Sequence, residues 1–376
     1  ARMIRLEKLT KHFGHGAQPV VAVDDVTLEV PSGEICVLLG PSGCGKTTTM
    51  RMVNRLIEPT SGKIFIDGKD TLGVDPIALR RSIGYVIQQI GLFPHKTVED
   101  NICVVPDLLG WQRARSRARA RELLELVGLQ PDQFLKRYPK ELSGGQQQRV
   151  GVLRALAADP PLMLMDEPFG AIDPINREVI QDEFLKMQRE LRKTIIFVSH
   201  DLDEAVKMAD KIAIFRSGRL EQFAAPDELL ARPCNAFVES FLGGDRALKR
   251  LRLIGSGEAM MRVFAGVRPD TPLGEARRRL AARGDPAAIV LDGDGRPLGV
   301  LTAEDAGLGD GAVSRAYRPD PVGVPVEADL RIAVSLMLTH DLPALACVDG
   351  EGKAVGVLTY RSIVATLRGA GPEAAP

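Results

Sequence analysis

The chain has no apolar run long enough to cross a bilayer. The longest, such as CVLLG and TIIFV, fall far short of the ~20 residues that a spanning helix needs. If the protein works at a membrane, another chain must cross it. No secretory signal is read at the start. Cysteine is scarce: Cys36, Cys44, Cys103, Cys234 and Cys347 are scattered, odd in number and never paired as C-x-x-C. That excludes a zinc ribbon and a disulfide framework, and it fits a reducing cytoplasm. Net charge is also missing, with 49 Lys plus Arg against 49 Asp plus Glu, so no global field steers nucleic acid to this surface.

What is present is ordinary material for soluble cores, 45% hydrophobic and 26% charged over 376 residues, enough for two or three domains. Residues 1 to about 240 alternate short apolar runs with helical stretches. EICVLLG, LMLMDEP and TIIFVSH read as buried strands of an α/β core. Between roughly 95 and 158 the pattern turns to helices only, RARSRARARELLELVGL and then GGQQQRVGVLRALAADP. The stretch FVESFLGGDRALKRLRLIGSG reads as a linker, basic in its second half. Beyond it, AAIVLDGDGRPLGVLTAED (287–305) lines up with ALACVDGEGKAVGVLTYRS (344–362) at an offset of 57 residues. Each copy reads helix, strand, Asp-Gly turn, strand, helix. The expected boundaries are 1–243 for the first domain, with a helical subdomain at about 89–159, then a linker 244–254 and two repeats, 255–312 and 313–370.

GPSGCGKTT, residues 40–48, fits G-x-x-x-x-G-K-[ST]. A strand is expected before it, and after it a helix with Met50, Val53 and Ile57 on one face that stops at Pro59. In this nucleotide-binding loop, Gly40, Pro41, Ser42, Gly43, Cys44 and Gly45 onward, the backbone N–H groups from 42 to 47 would curl around phosphates, since glycine permits the backbone angles required. Lys46 supplies a point charge to the β- and γ-phosphates, the Thr47 hydroxyl ligates Mg²⁺, and Thr48 touches the α-phosphate. Asp166 and Glu167 close a buried strand at its carboxyl end, where such sheets gather ligands. Asp166 would hold the metal through water, and Glu167 would polarise a water for in-line attack. His200 ends a third core strand and points to a γ-phosphate contact.

ELSGGQQQRV (141–150) is a second anion seat, a helix opening with two glycines, but with no lysine aimed at it and no carboxylate for a metal. Taken together, these motifs resemble the ATP-binding subunits of ABC transporters, with LSGGQ (142–146) as the signature. The resemblance implies a fold class: an α/β P-loop NTPase core of ABC type with a helical subdomain, followed by a tandem CBS (α+β) pair. Gln88, with Gln89 a weaker candidate, stands where the family has its Q-loop glutamine, a catalytic and metal-contacting position. Phe13 stands where an aromatic ring stacks on adenine. GAID (170–173) resembles the D-loop, with Ile172 for the usual leucine and Asp173 at the nucleotide.

In that family two such domains pack head to tail. Ser143, Gly144, Gly145 and Gln146 of one copy would then receive the γ-phosphate of an ATP held by Lys46 of the other. The resemblance thus implies ATP and Mg²⁺ as cofactors and a homodimer with two shared sites. It also implies transmembrane permease subunits, indirectly a substrate-binding protein, and a peripheral place on the cytoplasmic face of the inner (plasma) membrane. TTTMRMVNRLIEPTSGKIFIDGKD and YVIQQIGLFPH look particularly like ATPases of osmoprotectant importers for glycine betaine, carnitine, choline or proline. The paired repeats resemble a regulatory CBS pair, also found there. Thr302 and Asp305 match that family's T-x-x-D ribose contact, with an adenine nucleotide or cyclic di-AMP as the implied ligand. In the second copy Thr359 is followed by Ser362 where aspartate would stand. The arginines of RARSRARAR read as a solvated face, whereas Arg246, Lys249, Arg250 and Arg252 offer a face for anionic lipid. The rival readings are an importer subunit for another small solute, a soluble ABC ATPase acting on nucleic acid or ribosomes, and a nucleotide-sensing module with a decayed ATPase. Zero net charge and the single ATPase half weigh against nucleic acid.

Overall fold

The computed structural model describes residues 2–14, 19–88, 91–170, 172–307, 311–319 and 323–372. The chain divides into two compact units, one ending at Leu242 and the other beginning at Gly243.

The first unit is organised by a six-stranded sheet. Its strands are β3 (Ile35–Leu39), β6 (Ile83–Val86), β7 (Leu162–Asp166), β8 (Thr194–Val198), β9 (Lys211–Arg216) and β10 (Arg219–Ala224), in the order β10-β9-β3-β8-β7-β6. All neighbours are parallel except β10 on β9. Every residue of ICVLL, LMLMD and TIIFV is buried, as expected for strands covered on both faces. The register sets Leu38 beside Val198 and Val198 beside Asp166, so the carboxyl ends of β3, β8 and β7 finish level. A second sheet, β1 (Arg2–Phe13), β2 (Val20–Pro31), β4 (Ser61–Ile66) and β5 (Lys69–Asp70), is antiparallel in the order β2-β1-β4-β5. Ile4, Leu6, Val23, Leu28 and Ile64 seal it onto the core containing Met50, Val53 and Phe215.

Between β6 and β7 the described residues form no strand. Helices Val98–Leu108, Arg113–Leu126, Pro131–Phe134 and Gly144–Leu156 fill that span. The arginine-rich helix buries Ser116, Ala120, Leu123 and Leu124 and turns its charges outward. Arg117 pairs with Glu99, Arg119 with Glu122 and Arg121 with Asp132, while Arg115 lies 3.8 Å from the centre of the Trp111 ring. This is the solvated face the sequence suggested.

Two local expectations need correction. The helix after the phosphate loop runs only Lys46–Val53. Arg55 takes a left-handed φ of 52°, and the N–H groups of Leu56 and Ile57 both turn back to the Arg51 carbonyl. Met50 and Val53 are fully buried as expected, and Ile57 reaches the same core from the turn rather than from the helix. The basic face at 246–252 is also reduced, two of its four cations being tied to the protein. Arg250 is only 9% exposed and donates to the Leu367 carbonyl, and Lys249 pairs with Asp245.

The second unit repeats one three-stranded motif. β11 (Gly266–Val267) pairs parallel to β12 (Ala287–Leu291), which pairs antiparallel to β13 (Pro297–Thr302). β14 (Val324–Pro325), β15 (Ala344–Val348) and β16 (Ala354–Thr359) do the same. Helices Leu273–Arg283 and Leu330–Thr339 also start 57 residues apart. Among the described residues the two copies differ at the end. The second copy closes with helix Tyr360–Leu367, but the first closes with a 3₁₀ turn, Asp305–Gly307. Gly307 stands where the second copy has Val364 within its closing helix, and glycine disfavours helix continuation. Burial pushes the Cys36, Cys103 and Cys347 thiols up to about 12, so they are protonated at neutral pH.

Candidate functional site

Four neighbouring strands of the central sheet deliver the site. β3 runs into the loop 40–45, β6 leads to Gln88, β7 ends in Asp166, and β8 leads to His200. The loop is shaped by glycine at its base. Gly45 has φ 102°, and a Cβ there would sit 2.4 Å from the Ala22 carbonyl oxygen. It is also the N-cap of helix Lys46–Val53 and offers no side-chain cap. The first-turn N–H groups of that helix therefore look for an acceptor outside it, at its positive end. Pro41, Ser42 and Gly43 are exposed at the tip, Cys44 is buried beneath them, and Thr48 is half-buried. Lys46 is 7% exposed, and its ammonium donates to the Gly40 and Pro41 carbonyls at 2.8 and 2.9 Å. Phe13 lies 41% exposed at the end of β1, with the Lys11 ammonium 5.1 Å from its ring centre.

Behind the loop the carboxylates are wired together. The Thr47 hydroxyl donates to Asp166 Oδ1 at 3.3 Å. Asp166 is 5% exposed, and burial pushes its carboxyl above the usual range. Thr47, Arg51 and Lys46 pull it back, and the charge of Glu167 adds to the rise. Glu167 stands at a left-handed φ of 45°, rare for glutamate. Its N–H donates to the Val198 carbonyl, which fixes that turn to the next strand. Its side chain meets two partners: Gln88 Nε2 donates to Oε2 at 2.8 Å, and His200 Nδ1 lies 3.4 Å from Oε1. Gln88, Glu167 and His200 therefore meet on one spot. Gln89 lies outside the described residues.

The second seat is separate. Ser143 caps helix Gly144–Leu156: its hydroxyl accepts from Gln146 N–H at 3.3 Å while Gln146 Oε1 accepts from Ser143 N–H at 3.0 Å. This reciprocal box leaves the N–H groups of Gly144 and Gly145 directed outward. They line a cleft of about 270 Å³ with Gln146, Arg149, Ile172, Asp173 and Asn176. Asp173 caps its own helix, Pro174–Leu191, by accepting from Asn176 N–H at 3.1 Å. No residue of 40–48 is among the residues lining this cleft. Arg149 is a cation the sequence reading missed. It stands one turn after Gly145, so helical spacing alone placed it on the same face. Its guanidinium is tied to Glu183 at 3.0 Å and to the Val127 carbonyl.

Known proteins resemble this chain in sequence and fold. The ABC transporter family profile matches residues 23–170, and the CBS domain profile matches 257–306 and 313–369. OsmV of Salmonella typhimurium, an osmoprotectant import ATP-binding protein, is 54% identical over 359 residues, covering 95% of this chain and 94% of OsmV. The chain belongs to the ABC transporter ATP-binding proteins. OpuCA of Bacillus subtilis, a glycine betaine/carnitine/choline transport ATP-binding protein, is 47% identical over 366 residues, 96% of this chain and 95% of OpuCA. The dimeric cassette MJ0796, in a post-hydrolysis state bound to ADP and phosphate, superposes with a TM-score of 0.53 at 34% identity. It covers 59% of this chain and 98% of its own. This ABC ATPase thus binds ATP and hydrolyses it, and among its described residues no helix is long and apolar enough to cross a membrane.

The second unit of this ABC ATPase carries its own cleft, about 420 Å³, lined by Thr302, Glu304, Arg318, Asp341 and Tyr360 among others. Thr302 donates to Asp305 Oδ2 at 2.7 Å, and Arg318 approaches the same oxygen at 3.2 Å. In the other copy Ser362 folds back onto Thr359: their backbone N–H groups and hydroxyls exchange bonds at 3.0 Å, and both residues are buried.

Proposed function

We propose that this chain powers an importer of quaternary-amine osmoprotectants, as the ATPase of a head-to-tail homodimer on the cytoplasmic face of the membrane. The observation that carries the reading is the separation of the two seats within one chain. Lys46 and the carboxylates serve one, and Ser143 serves the other. A Cβ on Gly144 would meet nothing of its own chain within 4 Å, so packing within the chain does not call for glycine there. Close approach by an outside group does. That group is the γ-phosphate held by Lys46 of the partner copy. The cargo class is supported by OsmV and OpuCA, whose matches span nearly the whole chain, CBS pair included.

Phe13 stacks the adenine, and the loop from Gly40 to Thr48 wraps the phosphates. Lys46 exchanges its two carbonyl acceptors for phosphate oxygens. Thr47 and Asp166 suit Mg²⁺, which takes one or two protein oxygens and fills its shell from phosphate and water. Buried Asp166 beside Glu167 is an excess of negative charge that a cation relieves. Thr47 and Asp166 would hold it where it would supply neutralising charge to the β- and γ-phosphates. Gln88 holds Glu167 and would also contact the metal. Glu167 takes a proton from the attacking water, and His200 contacts the γ-phosphate. Loss of that phosphate releases the grip of the partner's Ser143, Gly144, Gly145 and Gln146, beside which Asp173 sits, and the dimer opens. Permease subunits spanning the membrane receive that motion through the helices between β6 and β7, and a binding protein feeds them.

The test is uptake. In cells lacking their own osmoprotectant importers, this chain with its permease partners should restore labelled glycine betaine, carnitine or choline accumulation under salt stress. Lys46→Ala should abolish it. Restoration of methionine, sulfate or polyamine uptake instead would replace the cargo assignment.

The CBS pair acts as a regulatory sensor with one adenine-nucleotide site, at Thr302 and Asp305. The hydroxyls of Thr359 and Ser362 are already bonded to one another's backbone, which leaves the second motif without a ribose acceptor. Calorimetric titration of the full chain with cyclic di-AMP should show binding that Asp305→Ala weakens about tenfold or more and Ser362→Ala leaves unchanged. Equal affinity in the Asp305→Ala chain removes the site.

A further inference from the structure

His200 itself is exposed, but the turn that carries it, Ser199–Asp201, is held from below. Ser199 is 1% exposed, Gln181 4% and Glu204 7%. Gln181 Nε2 donates to Glu204 Oε1 at 3.1 Å, and the Ser199 hydroxyl donates to Glu204 Oε2. Asp201 N–H donates in turn to the Ser199 hydroxyl at 3.0 Å. A carboxylate buried this deeply is costly, and an apolar side chain would fill the space more cheaply. Burial pushes the Glu204 carboxyl above the usual carboxylate range first. Ser199 lowers it, Asp201 raises it, and Gln181 and Arg177 lower it.

A second bridge runs alongside. Arg177 Nη2 donates to the Ile172 carbonyl at 2.9 Å, and its Nη1 lies 3.6 Å from Asp201 Oδ2. Asp201 Oδ1 accepts from Asp203 and Glu204 N–H and so starts the helix Leu202–Met208. Arg177 and Gln181 lie four residues apart, on one face of the helix Pro174–Leu191 that Asp173 caps. Both bridges therefore leave the same helix and end on the two sides of His200. One begins at the Ile172 carbonyl, in the segment lining the Ser143 cleft.

We propose that Glu204 and Arg177 are positioning residues for His200, tying its turn to the Ile172–Asp173 segment so that a shift of that segment is passed to the histidine. This rests on the reading of His200 as the γ-phosphate contact. The Glu204 bridge is short and buried and the Arg177 bridge is half-buried, so together they transmit displacement better than a fully solvated contact would. The exposed second partner of Glu167 would then feel the state of the opposite seat.

The experiment is steady-state ATPase kinetics of the full-length protein, with thermal unfolding recorded for each variant. His200→Ala should lower kcat. Glu204→Ala should lower kcat about tenfold or more while the ATP KM stays within about twofold. Glu204→Gln should recover to within about threefold, because Gln181 can turn its amide to complete the bonds. In the His200→Ala background, Glu204→Ala should add less than about a twofold loss, since its effect runs through the histidine. Arg177→Ala should show the same pattern without opening a buried cavity, and it serves if Glu204→Ala folds poorly. Undiminished kcat in both Glu204→Ala and Arg177→Ala overturns the proposal, as does a full multiplicative loss on top of His200→Ala. If His200→Ala itself turns over at the wild-type rate, the reading of His200 fails first, which is a distinct result.

Discussion

Glu167→Gln should stop steady-state ATP hydrolysis while leaving a dimer that forms only with ATP. The substitution is isosteric, so the left-handed turn, the Val198 bond and the approach of Gln88 all survive it. What disappears is the ability to take a proton from water. A positioned general base contributes about 10² to 10⁴ in rate, which corresponds to about 3–5 kcal/mol of barrier. The phosphate-binding elements, Lys46, Thr47 and the loop glycines, remain intact, so ATP affinity should change little. With hydrolysis blocked, the shared γ-phosphate stays in place and the closed state accumulates. The measurement is phosphate release together with light scattering of the ATP-loaded variant. Hydrolysis within a few fold of the parent protein would remove Glu167 as the base and shift attention to His200. A variant that neither hydrolyses nor dimerises would detach closure from the shared phosphate.

Residues whose chemistry fixes both type and spacing were legible in the sequence. Lys46, Thr47, Asp166, Glu167 and His200 each close a buried strand or open a helix, and the structure brings them to the ends of adjacent strands. The pairing of the repeats was legible because Ala287 and Ala344 open equivalent strands. The rest depends on contacts that periodicity does not encode. The stop at Val53 is set by a left-handed Arg55, a conformation that arginine's local preferences do not announce. The antiparallel sheet of β1, β2, β4 and β5 escaped notice because its strands are buried on one side and interrupted by register shifts at Leu6 and Leu9. Gln181 and Glu204 look like solvent-facing residues of amphipathic helices, yet they are buried because they satisfy each other. The basic linker departs from its local signal for the converse reason. Arg250 carries a charge that the sequence places outside, and the Leu367 carbonyl draws it in. In these last two cases a tertiary hydrogen bond outweighed the local signal.

Ser143→Arg should leave ATP binding to the Lys46 loop intact and still abolish both dimerisation and turnover. Ser143 lies in a cleft of about 270 Å³, and none of the residues lining it comes from the loop of its own chain. An arginine there fills the space that the incoming phosphate needs. It also removes the hydroxyl that accepts from Gln146 N–H, a loss of about 1 kcal/mol in helix stability, which Ser143→Ala reproduces without the bulk. Ser143→Ala should therefore hydrolyse ATP at a reduced but measurable rate, and Ser143→Arg should fall on the order of a hundredfold or more below wild type. Mixing gives the decisive measurement. A dimer of one Ser143→Arg chain and one Lys46→Ala chain contains one site built from an intact Lys46 and an intact Ser143, while its other site has lost both. In an equal mixture half of the random encounters bring together one chain of each kind, so activity should return to at most about a quarter of the wild-type level, provided one intact shared site closes the pair. Neither variant alone should turn over. If each site were finished within a single chain, mixing two inactive chains would recover nothing, and the head-to-tail arrangement would have to be abandoned.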